Sequence, residues 1–315
     1  MSKPGRSPTT YCNAVTGAIY TKIQWVKSKR CSSMRYGVLF FLVVFSLSAF
    51  GDTIDLGRGD VNVVVPKNYS ADTPVPLVML LHGYTSSGAA QDAYFKLSKL
   101  VDEYGFIFIA PDGTVEKEGD KNRFWNAGEK NCCNFQGSTV NDSAYLKALI
   151  EALQNRYSID SKRIFVTGHS NGGFMSHRLA YDYPETIAAI VALNGAAPLS
   201  WTKPRPFSRV NILHIHGTAD TVNYYHGAQI FGVPYPGAET GLRNWAYYAF
   251  GNATPLKTTS RRDLDKQIDG DETVVKSWAD GNIELWTIEG GKHVPPFVDD
   301  FNRQVIEWIY AHPKP

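Results

Sequence analysis

The feature that most constrains the fold is an alternation of short apolar runs with longer helical segments, beginning at Asp52. Most of the runs end in Gly or in Pro-Asp-Gly. They are "VNVVVP" (61–66), "PLVMLLHG" (76–83), "GFIFIAPDG" (105–113), "RIFVTG" (163–168), "IAAIVALNG" (187–195), "NILHIHG" (211–217) and "IELWTIEGG" (283–291). Such runs are typical of strands buried on both faces of a parallel sheet, and the first is expected to be an antiparallel starting strand.

Helical segments lie between these runs, and together they predict an α/β fold. The expected helices span 89–103, 141–156, 172–182, 238–250 and 300–310. The alternation indicates one mostly parallel, doubly wound sheet with helices on both faces, and the chain is long enough to bury a single large core. We therefore predict one catalytic domain over residues 52–315. Its active residues should follow the carboxyl ends of the strands.

The first 51 residues differ in composition and are predicted to be an N-terminal extension and signal peptide. They hold 7 of the 32 Lys and Arg residues and none of the 30 Asp and Glu residues, so the remainder has 25 basic against 30 acidic side chains, a net charge of −5. A mildly acidic body without a basic stripe gives no reason to expect a nucleic-acid partner. Basic residues precede "GVLFFLVVFSL", and "AFG" follows at 49–51. This pattern predicts cleavage after Gly51 and a secreted, extracellular or periplasmic protein.

A membrane anchor is the alternative for this leader, but the apolar run is shorter than the roughly 20 residues that span a bilayer. After cleavage we expect no stable membrane association. The leader also contains Cys12 and Cys31, so the exported chain would keep only the adjacent pair Cys132 and Cys133. Adjacent cysteines lack the spacing of a metal site. A disulfide between them is the preferred interpretation, and two free buried thiols are the alternative.

A candidate nucleophile lies in "GHSNGG" (168–173), directly after an apolar run and before an amphipathic segment. Gly168 and Gly172 flank Ser170 in the G-x-S-x-G pattern of a nucleophile elbow, where a serine occupies a strained strand-to-helix turn. An ordinary strand-to-helix turn is the alternative. The strand before the serine and the helix after it favour the catalytic interpretation of Ser170.

A catalytic serine needs a histidine base and a carboxylate, which in this type of fold follow it in the order acid, then histidine. Of the eight histidines, only His226, His293 and His312 lie after Ser170 in loop or terminal positions. His293, just past the last strand run, is predicted to be the base, because His312 follows the final helix and His226 lies too near the acid. Asp220 in "HGTADTV" is the predicted acid. Asp112 precedes the serine in an ordinary turn sequence.

The other five histidines are predicted to be hydrogen-bonded structural residues: His82, His169, His177, His214 and His216. Acyl transfer also needs backbone N–H donors for the oxyanion. We assign these to Asn171, the residue after the nucleophile, and to Tyr84 in "HGYTSSG". An ordinary turn residue is the alternative for Tyr84.

Six motifs together resemble one family. These are "LLHGYTSSG", "APDGT", "FWNAGEKNCCN", "GHSNGGFMSHRLA", "HIHGTADTV" and "LWTIEGGKH". Over about residues 60–310 the chain resembles the secreted polyhydroxybutyrate depolymerase and feruloyl esterase group of α/β-hydrolases. The resemblance implies a single-domain α/β-hydrolase fold, serine esterase activity with a triad at Ser170, Asp220 and His293, and no cofactor. The chain departs from the family pattern at "VPPF" after the histidine and at "VND" (140–142), so Asp142 is assigned no chemical role.

Aromatic residues near the predicted site suggest an aryl pocket. Trp125 and Tyr224 are the predicted substrate contacts, with Phe124, Tyr84 and Tyr225 nearby, although such aromatics also pack loop rims in this kind of fold. The expected substrate is a small-molecule or oligomeric ester, either feruloyl-type or a hydroxyalkanoate. A serine peptidase or acyltransferase on the same fold and a catalytically silent binding protein are the alternatives. The sequence leaves the oligomeric state open.

Overall fold

A computed structural model describes residues 52–128, 132–204, 208–230, 232–256 and 260–315. The predicted leader, with Cys12 and Cys31, lies outside these ranges. The strands are β1 (Asp52–Ile54), β2 (Val61–Val64), β3 (Val75–Leu81), β4 (Ile107–Ile109), β5 (Thr114–Val115), β6 (Arg123–Phe124), β7 (Ile159–His169), β8 (Ala189–Leu193), β9 (Asn211–Gly217), β10 (Gly227–Ile230), β11 (Val233–Pro236), β12 (Ser260–Arg262), β13 (Thr273–Trp278) and β14 (Ile283–Ile288). The helices are α1 (Gly88–Phe95), α2 (Val101–Tyr104), α3 (Asp142–Arg156), α4 (Asn171–Asp182), α5 (Ala238–Phe250) and α6 (Phe301–Tyr310).

Ten of these strands form one sheet in the order β1-β2-β4-β3-β7-β8-β9-β14-β13-β12. The six central strands, from β4 to β14, run parallel to their neighbours. The edges are antiparallel, with β2 paired to β4 at one end and β13 to β14 at the other. The predicted mostly parallel sheet is confirmed. The strand expected to start it, β2, is antiparallel as predicted, but β1 precedes it and forms the edge of the sheet.

Helices cover both faces of the sheet. Along β3, Leu77, Met79 and Leu81 pack into one core cluster, and Val78 and Leu80 pack into the other. The first cluster includes apolar residues of α3, α4 and α5, and the second includes those of α1, α2 and α6. Because successive side chains of a strand point to opposite faces, an all-apolar strand requires this double cover.

The predicted helix over 89–103 is wrong, because it is interrupted after α1. Lys96 adopts a left-handed conformation with a φ of 57°, a 3₁₀ turn follows over Leu97–Leu100, and α2 ends at Gly105. The Asp92 carboxylate accepts hydrogen bonds from the backbone N–H and the hydroxyl of Ser98. These contacts stabilise a new turn in place of a continuous helix.

Candidate active site

Ser170 lies between the end of β7 and the start of α4, with a φ of 53° and a ψ of −118°. A positive φ is strained for a residue with a Cβ, so the surrounding packing must hold it. The flanking glycines show how close that packing is. A Cβ added to Gly168 would lie 2.3 Å from the carbonyl oxygen of Gly172, and one added to Gly172 would lie 2.2 Å from that of Leu81. Only glycine fits at either position.

A cavity of about 310 Å³ opens at Ser170. Its walls include Ser170, His293 and Tyr84, together with Tyr94 and Val294. Ser170 itself is 8% exposed. The predicted nucleophile and the predicted base therefore face the same small space at the carboxyl edge of the sheet.

His293 and Asp220 are joined by a hydrogen bond of 2.7 Å between Nδ1 and Oδ2. The other carboxylate oxygen of Asp220 accepts the backbone N–H groups of Val222 and Asn223, at 2.8 and 2.9 Å. Burial raises the pKa of Asp220, but the hydrogen bond from His293 and these N–H groups outweigh it, so the net pKa lies below the ordinary value. An ionised carboxylate can only accept, so Nδ1 of His293 carries the proton and Nε2 is free to accept one.

The loops that carry the acid and the base are packed directly against each other. A Cβ added to Gly217 would lie 2.2 Å from the carbonyl oxygen of Gly291. The backbone N–H of Ala219 also donates to that carbonyl, at 2.9 Å. The close approach of two backbones holds Asp220 within reach of His293.

The departure from the family pattern at "VPPF" leaves His293 at the cavity. The carbonyl oxygen of His293 accepts from His169 Nε2 and Asn194 Nδ2, both at 2.8 Å. Two residues later, the carbonyl of Pro295 accepts the hydroxyl of Tyr94, at 2.6 Å. Burial lowers the pKa of His169 to about 4, so this ring stays neutral near neutral pH and acts as a fixed donor.

Asn194 is a site residue that sequence reasoning missed. It follows β8, is fully buried and has a φ of 48°. Its side chain donates to the carbonyl of His293 and accepts the N–H of Gly217, while its own carbonyl accepts Asn223 Nδ2. One amide thus holds both the loop of His293 and the end of β9, from which the loop of Asp220 begins. The sequence feature that could have identified Asn194 is its position as a polar residue before glycine, at the carboxyl end of an otherwise apolar run.

The two residues predicted to supply the oxyanion donors lie near Ser170, Asn171 as the next residue in the chain and Tyr84 as a lining residue of the same cavity. Asn171 is the first residue of α4, where a backbone N–H has no intrahelical acceptor. Among the described residues no acceptor contacts the N–H of Tyr84, and the preceding N–H, of Gly83, donates to Gln91 Oε1 at 3.2 Å. A Cβ added to Gly83 would lie 3.5 Å from Cβ of Ser170, so the Tyr84 loop lies beside the serine. The oxyanion role of both residues stays a prediction.

Trp125 is buried next to the side chain of Asn171. Its ring is fully buried, Nε1 donates to the carbonyl of His82 at 3.0 Å, and its backbone exchanges two hydrogen bonds with the Asn171 side chain. These contacts join Trp125 to the turn at Asn171, and its contact with substrate stays a prediction. Tyr224 is 53% exposed on the acid-bearing loop, and its substrate contact stays a prediction.

Cys132 and Cys133 are joined by a disulfide in the structure. The carbonyl of Cys132 accepts Asn171 Nδ2 at 3.0 Å, so the loop is joined to the residue after the predicted nucleophile.

The other charged or titratable candidates have structural partners. Asp142 is fully buried and accepts hydrogen bonds from Arg58, Thr114 and the N–H of Asn126. Asp112 pairs with Arg123 and caps α1 through the N–H of Gly88. His226 is exposed and its ring contacts Tyr225, and His312 stacks on Trp308. Within the described ranges, no group of three or more His, Cys, Asp or Glu could hold a metal ion, and no helix is both long and apolar enough to cross a membrane.

Comparison with known families matches residues 62–231, just over half of the chain, to the phospholipase/carboxylesterase family of α/β-hydrolases. The chain belongs to this family. Feruloyl esterase B of Piromyces equi is 25% identical over 245 residues, which cover 73% of this chain and 42% of that protein. Poly(3-hydroxyalkanoate) depolymerase C of Paucimonas lemoignei is 23% identical over 301 residues, or 85% of this chain and 69% of that one. The sequence-based resemblance to these two groups is confirmed.

Two further proteins are similar over a shorter stretch or at lower identity. A bifunctional acetylxylan esterase/xylanase of Neocallimastix patriciarum is 28% identical over 173 residues, which are 55% of this chain and 23% of that protein. The chain thus spans less than half the length of this relative and of feruloyl esterase B. The solved acetyl xylan esterase from Aspergillus awamori superposes with a TM-score of 0.59 at 19% identity, covering 82% of this chain and 98% of that one. That likeness confirms the α/β-hydrolase fold.

Proposed function

We propose that this protein is a secreted serine carboxylic ester hydrolase that acts through an acyl-enzyme. The observation that carries the proposal is the shared cavity of Ser170 and His293, with His293 hydrogen-bonded to the buried Asp220. Membership of the phospholipase/carboxylesterase family supports the same reaction class.

In the proposed reaction, Ser170 Oγ attacks the ester carbonyl while His293 Nε2 takes the hydroxyl proton. Asp220 stabilises the imidazolium that forms, since its carboxylate already accepts the Nδ1 proton. The N–H groups of Tyr84 and Asn171 donate to the oxyanion. His293 then protonates the leaving alcohol as the C–O bond breaks. Water, deprotonated by the same nitrogen, releases the acid and restores the serine.

The proposed substrates are aryl esters of the feruloyl type or hydroxyalkanoate oligomers. The cavity at Ser170 has room for a small acyl group, and two tyrosines, Tyr84 and Tyr94, are among the residues that line it. Tyr84 is held by its hydroxyl, which donates to the largely buried Glu116 at 2.7 Å. Aromatic walls of this kind suit a flat acyl group. A panel of methyl ferulate, hydroxybutyrate oligomers and short aliphatic esters decides between these classes.

The test is hydrolysis of a short p-nitrophenyl ester by the original protein and by Ser170→Ala. We expect kcat to fall by a factor on the order of 10⁴ to 10⁶ in the variant, because Ser170 alone would carry the acyl group. A serine-directed phosphonate should add its mass to the peptide that contains Ser170. Ser200→Ala, at an exposed serine, is the matched control and should keep full activity.

Near-normal turnover by Ser170→Ala would overturn the mechanism. Faster cleavage of the matching p-nitroanilide than of the ester would favour the peptidase alternative. No turnover of any substrate by a folded protein would favour the binding protein.

A further inference from the structure

Three buried histidines form a continuous chain that the proposed reaction does not use. His177 on α4 contacts His214 on β9, with 3.2 Å between Nε2 and Nδ1. His214 contacts His216 in the same way, at 3.0 Å, and His216 Nε2 lies 2.8 Å from the carbonyl oxygen of Asn223. None of the three is more than 1% exposed. Because these rings do not reach solvent, the proton on each ring must be donated to a protein acceptor rather than to water.

The carbonyl of Asn223 determines that arrangement. A carbonyl oxygen can only accept, so His216 Nε2 carries a proton, and in a neutral ring Nδ1 is then an acceptor. His214 must therefore donate from Nε2, which leaves its own Nδ1 to accept from His177 Nε2. The chain ends at His177 Nδ1, a buried nitrogen with no partner in the part of the chain that the structure describes.

All three rings are neutral in this arrangement. Burial lowers the pKa of His177 to about 3 and that of His216 to about 4, and lowers that of His214 well below its ordinary value. Of the described residues, Asp220 and His293 are the titratable groups outside the histidine chain that act on His216, and Asp220 Oδ2 lies 3.6 Å from His216 Nε2. The rings of Trp245 and Tyr225 pack against the two ends of the histidine chain.

The chain ends at Asn223, the residue whose N–H also binds the acid. The N–H of Asn223 donates to Asp220 Oδ1, and its side chain donates to the carbonyl of Asn194. His216 holds the carbonyl of the same residue. Asn223 is therefore fixed by hydrogen bonds at its N–H, its carbonyl and its side chain, and the carbonyl contact is the one that depends on the histidine chain.

We propose that His177, His214 and His216 form an imidazole chain with one fixed tautomer, protonated at Nε2, and that His216 is a positioning residue for Asp220. The second part rests on the proposed function, whereas the first part does not. His216 acts by holding the carbonyl of Asn223, which fixes the backbone of this residue so that its N–H stays oriented toward the Asp220 carboxylate. It touches no reacting atom.

The test of positioning compares His216→Leu with His216→Gln. Leucine removes the donor to Asn223, whereas the glutamine amide can place a donor where Nε2 was. We expect His216→Leu to lower kcat for a p-nitrophenyl ester roughly 10- to 100-fold, since small displacements of catalytic groups have effects of this size. His216→Gln should recover activity to within a few-fold of the original protein. His312→Leu, a change at another hydrogen-bonded histidine that lies outside the site, is the control and should keep full activity.

Equal losses in both His216 variants, or no loss in either, would overturn the positioning role. A lower kcat in His216→Leu alone would support the positioning role. If His216 only filled space, leucine would serve as well as glutamine.

The test of the chain itself is a ring nitrogen–proton correlation spectrum of ¹⁵N-histidine-labelled protein, assigned with single-histidine variants. We expect His177, His214 and His216 to carry their proton on Nε2 and to remain singly protonated from about pH 8 to about pH 5, a range in which exposed histidines gain a second proton. A proton on Nδ1 of any of the three would overturn the chain. This readout needs no substrate, so it stands even if the protein proves to hydrolyse no ester.

Discussion

Acid should destabilise this protein well before its carboxylates are protonated, because the histidine chain is buried in the neutral state. The unfolded chain binds a proton at each of these histidines near pH 6.5, whereas the folded chain does so only near pH 3 to 4 at His177 and His216. Between these values the unfolded state binds more protons, so the free energy of unfolding falls as the pH falls. Asp220 has a lowered pKa, and its contribution is lost only at still lower pH.

The expected change in the free energy of unfolding follows from the same linkage between proton binding and folding. At pH 5, each buried imidazole that titrates at about 6.5 when unfolded destabilises the fold by about 2 kcal/mol relative to pH 7.5. The three chain histidines together therefore lower the free energy of unfolding by about 6 kcal/mol between these pH values. His169, whose pKa is lowered to about 4 by burial, lowers it further. A domain of typical stability has only about 5–15 kcal/mol in total.

Urea unfolding, followed by tryptophan fluorescence at pH 7.5 and at pH 5, measures the change in the free energy of unfolding between the two pH values. His177→Leu is the matched variant, since His177 Nδ1 has no partner among the described residues and the ring lies against Trp245. From pH 7.5 to pH 5, the free energy of unfolding of the variant should fall by about 2 kcal/mol less than that of the original protein. This holds whatever the stability of the variant at pH 7.5. A free energy of unfolding that changes by less than about 1 kcal/mol in the original protein would refute the reasoning, because it would mean that these rings are not buried in the neutral state.

Two further predictions concern the base and the export of the chain. His293→Ala should abolish turnover of a p-nitrophenyl ester while His226→Ala barely changes it, because His293 is the ring paired with Asp220; the reverse pattern of kcat values would show that the base is wrongly assigned. Secreted material should begin at Asp52 by N-terminal sequencing or intact mass, and an intact leader on membrane-bound protein would favour the anchor instead.

The sequence by itself determined the fold class and the order of the candidate triad. Apolar runs ending in glycine predict buried parallel strands from local periodicity alone. Since parallel strands bring their carboxyl ends to one edge, Ser170, Asp220 and His293 could be placed together from their positions just after β7, β9 and β14. The two glycines around Ser170 are a local requirement of one turn, and the sequence pattern shows them directly.

Tertiary structure alone decided which side chains support that site. Trp125 is buried, and its backbone exchanges two hydrogen bonds with the side chain of Asn171, 46 residues away in sequence. Asn194 and Asn223 follow different strands and meet only because β8 and β9 are neighbours. The histidine chain joins a helix residue to a strand residue 37 positions away, and its protons are fixed by the carbonyl of Asn223, further along the sequence. Hydrogen-bond partners distant in sequence have no periodic signature, so only the packed structure reveals them.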